Sequence, residues 1–438
     1  KILEAHTGLD ATRRCISSQS DLWTTGTHMS TRPFDIIVYG ASGYSGAITC
    51  EYLAQKAPAN VKWAIAGRDQ TKLETLRSDL AKLNPACAKL SVFKVDANEH
   101  AQILNLASST RVLCSFVGPY RIYGEPIVKA CVEAGTDYVD VTGEPPFYTE
   151  VIEKHHATAA QKKLYILPAC GVGSLMTDFA VETLKQAFDK DASVVSARGY
   201  VKYNGRFAKT FSNGTWNTLV NSMASKPPRR EKKPEGEAAS GAAASPSAAP
   251  KKARAPRVGL HLFKPLTNWA YPFVEGADLY TIRRTNELNA KSTGAESFTY
   301  AQFTLLPLIP PMWLIMTLFT VFIIMFCSKF SFVRNKLKSR SFAGGGPSKE
   351  QRADASVDVY VQAKDSNGKS KSLHLHCPGP YDTTGIACGE TALALVLERD
   401  ALTPIYGVVT PGSVMTKQLQ KHLKERGSTT WEISDKGV

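Results

Sequence analysis

From position 34 to 169 the sequence alternates short apolar runs with segments of helical periodicity. The runs 34–41, 61–68, 90–96, 111–117, 136–141 and 164–169 read as strands. Between them, 44–56, 71–83, 100–107, 125–134 and 148–161 read as helices. In the second of these, Leu73, Leu76, Leu80 and Leu83 recur on one helix face. Short apolar strands joined by helices demand right-handed crossovers and a parallel sheet covered on both faces. The pattern therefore predicts an α/β fold built on a doubly wound parallel sheet.

The first strand runs straight into Gly40-Ala-Ser-Gly-Tyr-Ser-Gly46. Gly40 permits the turn, Gly43 lets backbone approach a pyrophosphate, and Gly46 lets the next helix pack close to the strand. A helix N-terminus there offers N–H groups and a positive dipole end to a phosphate. The spacing is G-x-x-G-x-x-G rather than the more familiar G-x-G-x-x-G, so its place after a strand carries the argument. The expected cofactor-binding set is Gly40, Ala41, Ser42, Gly43, Tyr44, Ser45 and Gly46 in a Rossmann-type domain, with further residues from later strand ends. Arg68, closing the second strand, suits a ribose 2′-phosphate and favours NADP over NAD. A surface arginine is the plain alternative, and Asp69 is placed to reach a ribose hydroxyl instead. Asp96 ends the third strand, where the adenine is expected. Val117, Gly118 and Pro119 end the fourth, nearest the nicotinamide.

The formal charge of +14 is concentrated in two places. Residues 226–257 hold nine Lys or Arg against three Glu, and 329–340 hold five Lys or Arg and no acid. The remainder is close to neutral, which argues against a nucleic-acid partner and toward anionic lipid. Two solvated surface runs are the plain alternative. The nine cysteines contain no C-x-x-C pair and mostly sit in apolar runs, so a reducing compartment and no metal site are expected. Residues 1–32 lack the apolar core of a secretory signal; with Met29 just ahead of the first strand, they are expected to be a disordered extension outside the fold.

Beyond 170 the pattern changes. Residues 193–203 alternate like an antiparallel strand, and 356–363 with 371–376 form a hairpin pattern around Asn367-Gly368. The Lys/Pro/Ala/Ser/Glu tract 226–257 is too poor in apolar side chains to bury itself. These features predict a dinucleotide-binding domain over 33–174 and a second α/β domain of mixed sheet from 175–300 and 351–438. Residues 305–327 contain no charge over 23 positions, and a basic stretch comes directly after. Pro307, Pro310 and Pro311 leave an unbroken helix of about 16 residues, short for a bilayer span. The segment 305–340 therefore reads as membrane-associated, monotopic or re-entrant, with a buried core helix as the plain alternative.

Several of these segments together resemble the saccharopine dehydrogenase-like oxidoreductases. The resemblance is carried by the 40–46 turn, Ala66-Gly-Arg68, Val117-Gly-Pro-Tyr-Arg-Ile-Tyr-Gly-Glu125, Tyr138-Val-Asp-Val-Thr-Gly-Glu144 and Val409-Thr-Pro-Gly-Ser413. It implies a nicotinamide cofactor, NADP or NAD, and two domains. It also implies kinship with membrane- or lipid-droplet-associated proteins and with enoyl reductases acting on lipids. One departure stands out. Relatives carry a Gly-Phe-Asp-Ser-type turn where this chain has Gly171-Val-Gly-Ser174, so a turn acid is missing.

The expected function is hydride transfer between NADP and a lipid-like small molecule at an intracellular membrane or lipid-droplet surface. Tyr120, Tyr123 and Glu144 are the candidate catalytic groups, since they come just after the fourth and fifth strands. Packing roles for the tyrosines and a helix-terminal charge for Glu144 are the plain alternatives. A catalytically inactive nucleotide-binding assembly protein is the competing reading, and a homodimer is compatible with either.

Overall fold

The computed structural model describes residues 32–189, 191–205, 211–224, 259–272, 277–294, 297–306, 316, 319, 323, 326–327, 329–338 and 345–435. The expected extension before residue 32, apart from Arg32 itself, and the whole 226–257 tract lie outside the described residues.

The first sheet holds β1 (Phe34–Tyr39), β2 (Trp63–Gly67), β3 (Val92–Lys94), β4 (Thr110–Ser115), β5 (Asp137–Asp140) and β6 (Tyr165–Leu167). A late strand, β13 (Gly407–Val408), completes the order β13-β6-β5-β4-β1-β2-β3, every pair parallel. The chain reverses direction of travel across the sheet between β1 and β4, and that switch point opens a crevice at their carboxyl ends. Helices α1 (Tyr44–Lys56), α2 (Gln70–Leu83), α3 (His100–Ser108), α4 (Tyr120–Ala134) and α5 (Pro145–Gln161) make the crossovers. Ile36 and Val38 face one core and Ile37 and Tyr39 the other, which is why the strands read as continuously apolar.

The second sheet holds β7 (Val194–Asn204), β8 (His261–Phe263), β9 (Asn268–Tyr271), β10 (Thr299–Leu306), β11 (Ser356–Asp365), β12 (Ser370–Pro378) and β14 (Thr430–Ser434), in the order β14-β12-β11-β7-β10-β9-β8. β7 and β10 run parallel and the other neighbours antiparallel, so the sheet is mixed. Its buried face, with Val357, Val359, Val361, Leu373 and Leu375, joins the same core as α6 (Ser174–Lys185). The remaining helices are α7 (Asn213–Ala224), α8 (Asp278–Thr293), α9 (Ser331–Lys338), α10 (Lys349–Ala353), α11 (Pro380–Leu397), α12 (Pro411–Val414) and α13 (Thr416–Arg426).

Two expectations change. Residues 351–438 do not belong wholly to the second domain. α11 lays Gly385 and Gly389 against Ile48 and Tyr52 of α1, and β13 pairs with the otherwise open edge of β6. A sheet edge offers unpaired backbone groups that any two extended residues can satisfy, so no sequence pattern announces β13. The hydrophobic segment also does not begin at 305. Leu305 and Leu306 end β10, and Leu305 is buried in the second sheet. No helix among the described residues is long and apolar enough to cross a membrane. Of 307–327, only residues 316, 319, 323, 326 and 327 are described, each of them helical.

Candidate functional site

A cleft of about 1140 Å3 lies at the switch point. It exceeds the roughly 300–1,000 Å3 of a typical small-molecule pocket, enough for a dinucleotide with room beside it. One wall is the turn between β1 and α1. Gly40 adopts φ +81°, where a side chain would meet the Phe116 backbone at 2.9 Å. A Cβ on Gly46 would stand 2.4 Å from the Gly40 carbonyl oxygen, so only glycine lets α1 begin this close to the strand. Gly43 precedes α1 as a cap without a side chain, and the first turn holds no acid. That end of α1 keeps the positive character a phosphate requires.

Ser42, Gly43, Tyr44, Ser45, Gly46, Arg68, Gly118 and Pro119 line the cleft together. Gly40, Ala41 and Val117 do not line it. Asp96 stands apart and exposed, its carboxylate accepting from the backbone and side-chain nitrogens of Asn98, both at 2.9 Å. Asp69 is also spoken for: it caps α2 by accepting from Lys72 N at 3.1 Å. Lys72 adds a second cation beside Arg68 in the lining. Among the described residues, Glu51 is the one carboxylate lining the cleft, against the cations Arg68, Lys72 and Arg352. The donor set and the excess of cations fit a polyphosphate ligand.

Arg352 was not legible in the sequence. It comes from α10, is 8 % exposed, pairs with Asp382 at 3.1 Å and sits 5.9 Å from the Tyr44 ring centre. Tyr44 in turn donates to the Pro347 carbonyl and meets Tyr381 edge-on at 5.0 Å. The start of α7 also lines the cleft, with Ser212, Asn213, Thr215, Asn217 and Thr218. The Tyr381 hydroxyl accepts from Ser212 N at 2.7 Å and donates to Thr215 Oγ1 at 3.0 Å, tying α11 to that part of the lining. Apart from the Arg352–Asp382 pair, these contacts join residues at least 166 positions apart, and no local spacing signals them.

Of the three catalytic candidates, only Tyr120 lines the cleft. Its hydroxyl donates to the Ser115 carbonyl at 3.0 Å, and burial, reinforced by Asp140, holds its pKa well above the ordinary phenol value. Tyr123 is half-buried against the core between α3 and α4. Glu144 is 2 % exposed and accepts from the backbone N–H groups of Tyr120 at 3.0 Å and Arg121 at 3.2 Å. It therefore serves the N-terminus of α4, which explains why that helix begins at Tyr120 and not at 125 as the periodicity suggests.

Residues 36–167 match the family described as saccharopine dehydrogenase NADP binding domain. The chain is 29 % identical over 409 residues to a trans-acting enoyl reductase of Mycobacterium ulcerans, covering 90 % of this chain and 97 % of that protein. It is 26 % identical over 435 residues to the saccharopine dehydrogenase-like oxidoreductase of Rattus norvegicus, covering 93 % and 99 %. A lipid droplet localized protein of Caenorhabditis elegans is 29 % identical over 407 residues, covering 86 % and 92 %. Among solved structures, apo saccharopine dehydrogenase (L-Glu forming) from Saccharomyces cerevisiae superposes with a TM-score of 0.52 at 12 % identity, over 92 % of this chain and 99 % of that one. That likeness is one of fold alone. The family resemblance read from the motifs is borne out, as is the nicotinamide cofactor.

Proposed function

We propose that this chain, a nicotinamide-dinucleotide-binding protein of the saccharopine dehydrogenase-like oxidoreductases, is an NADP-dependent reductase of a hydrophobic, lipid-like substrate at a membrane or lipid-droplet surface. One observation carries the reading: a single cleft joins the 42–46 turn, the Arg68 and Lys72 pair and Gly118-Pro119. NADP is favoured because Arg68 and Lys72 both line the cleft, while Asp69 caps α2 and pairs with Lys72 at 3.8 Å. Bound there, the nicotinamide supplies the hydride. The α1 N-terminus and Arg352 would hold the phosphates, and Gly118-Pro119 and the start of α7, which line the same cleft, would border the rest of the cofactor. The lipid-like substrate and surface location are supported by the relatives named as an enoyl reductase and a lipid droplet protein, and by the apolar and basic composition of 307–340.

The commitment of Glu144 to the α4 backbone and of the Tyr120 hydroxyl to Ser115 favours a second reading, a dinucleotide-binding protein without turnover. Consumption of NADPH in the presence of a cellular lipid extract separates the two. The reductase reading expects turnover that Arg68→Glu abolishes; binding without consumption in any lipid fraction leaves only the second.

A further inference from the structure

Met316, Phe319, Ile323 and Phe326 are helical and recur at intervals of three and four residues, so they share one helix face. All are exposed, from 44 % for Ile323 to 61 % for Phe319, and Phe330 and Phe332 extend the row at 50 % and 73 %. Several large apolar side chains exposed together mark a contact surface, whereas isolated exposed side chains do not. Phe326 and Phe330 meet edge-on at 5.9 Å, and Lys329 lies 6.0 Å from the Phe326 ring centre. Five Lys or Arg and no acid occupy 329–340. Aromatic side chains edged by cations complement the acyl boundary and headgroups of an anionic phospholipid layer.

The other side of this segment faces inward. Val333, Arg334 and Leu337 of α9 are half-buried, and the Leu337 carbonyl accepts from Trp216 Nε1 at 2.7 Å. Trp216 belongs to α7, whose main packing partner among the described elements is α9. The first turns of α7 line the cleft together with the glycine turn. Thr218 Oγ1 lies 3.4 Å from the Glu144 carboxylate that holds the start of α4. One wall of the dinucleotide cleft thus rests on a helix whose outer support is the exposed apolar and basic segment.

We propose that an anionic phospholipid surface is an allosteric ligand of the cleft. Docking of the exposed Phe326, Phe330 and Phe332 fixes α9, α9 fixes α7 through Trp216, and the dinucleotide binds more tightly to the completed wall. Lipid contact then removes part of the residual freedom of α7 that dinucleotide binding would otherwise have to remove. Linkage makes the effect reciprocal, so the dinucleotide strengthens lipid binding by the same factor. The proposal rests on the reading of the cleft as the dinucleotide site.

The test titrates NADPH into the full chain with and without vesicles of phosphatidylcholine and phosphatidylserine, following NADPH fluorescence. The expected result is a dissociation constant lowered about fivefold or more by vesicles. Trp216→Phe keeps vesicle binding in a flotation assay and loses the tightening. Phe326→Glu with Phe330→Glu loses flotation and retains the vesicle-free affinity for NADPH. The wild-type chain supplies a measurement free of any folding defect: saturating NADPH raises vesicle affinity by the same factor. An unchanged NADPH affinity on vesicle-bound protein overturns the proposal, as does full tightening in Trp216→Phe. A dimer that forms through the row and excludes vesicles also overturns it. A chain that binds no NADPH with or without vesicles overturns the cofactor reading and this proposal with it.

Discussion

The Asp278 carboxylate lies 3.2 Å from the point where Gly173 would carry a Cβ. Ser174 Oγ donates to it at 2.8 Å and Gln302 Nε2 at 2.9 Å, and burial lifts its pKa to about 6. The turn 171–174 lacks the acid that the family resemblance leads one to expect, yet α8 sets an acid directly against it. Gly173→Asp would place a second carboxylate beside a buried one, at φ +101° where side chains are strained. The expected loss is on the order of 2–4 kcal/mol in urea denaturation, from backbone strain and like-charge contact together. Adding Asp278→Asn recovers the charge part; an unchanged midpoint in the single variant would refute the placement.

Stability should fall as pH rises from 6.5 to 9. Burial, with the Glu182 charge adding to it, raises Asp178 from 3.8 to about 8, against hydrogen bonds from Thr285 and Gly412. Burial alone would lower His422, but its contacts with Glu390 and Glu398 lift it from 6.5 to about 9. Both groups hold their proton more tightly folded than unfolded. Asp178 therefore contributes fully below 3.8 and loses its contribution through about 8; His422 contributes fully below 6.5 and loses it through about 9. Melting temperatures across this range check the sign. Asp178→Asn flattens the part below pH 8, and His422→Gln the part approaching 9.

Arg352 and Arg68 are expected to divide the work on the cofactor. Arg352 stands by Tyr44 and the glycine turn, so Arg352→Ala should weaken NADPH and NADH alike, by about tenfold for a lost charge-assisted contact. Arg68→Glu should weaken NADPH while leaving NADH nearly unchanged. Calorimetric titration of both nucleotides into both variants distinguishes a pyrophosphate contact from a 2′-phosphate contact. Selectivity for NADPH lost in Arg352→Ala would exchange the two assignments.

Glu144→Ala removes the acceptor of two backbone N–H groups at the start of α4. The expected destabilisation is about 1–2 kcal/mol, typical of a lost helix cap. A wild-type denaturation midpoint combined with lost NADPH oxidation would make Glu144 a catalytic group and not a cap.

Much of the first domain could be read directly. The strand runs carry the same apolar character on both faces because both faces are covered, and the glycines at 40 and 46 stand where backbone geometry admits nothing larger. Charge was readable where it clustered, in 329–340. Glu144 could not be assigned from the sequence because a carboxylate at the end of β5 suits a proton donor and a helix cap equally well; its bonds to the start of α4 come only from the tertiary structure. The apolar run from 305 likewise joins the end of β10 to the residues beyond it, and hydrophobicity carries no mark at Leu306 where the strand stops.

The sequence by itself determined the local matters: strand and helix order, the conformations that need glycine, the Arg68 position after the second strand, and the family motifs. Tertiary structure alone decided that β13 closes the first sheet, that Arg352 and Tyr381 enter a cleft begun 300 residues earlier, that Asp278 faces Gly173, and that α9 supports α7. The division comes from range. Periodicity and φ preferences act over a few residues and leave their imprint on the chain, whereas these meetings depend on how two sheets and their crossovers bring distant segments to one surface.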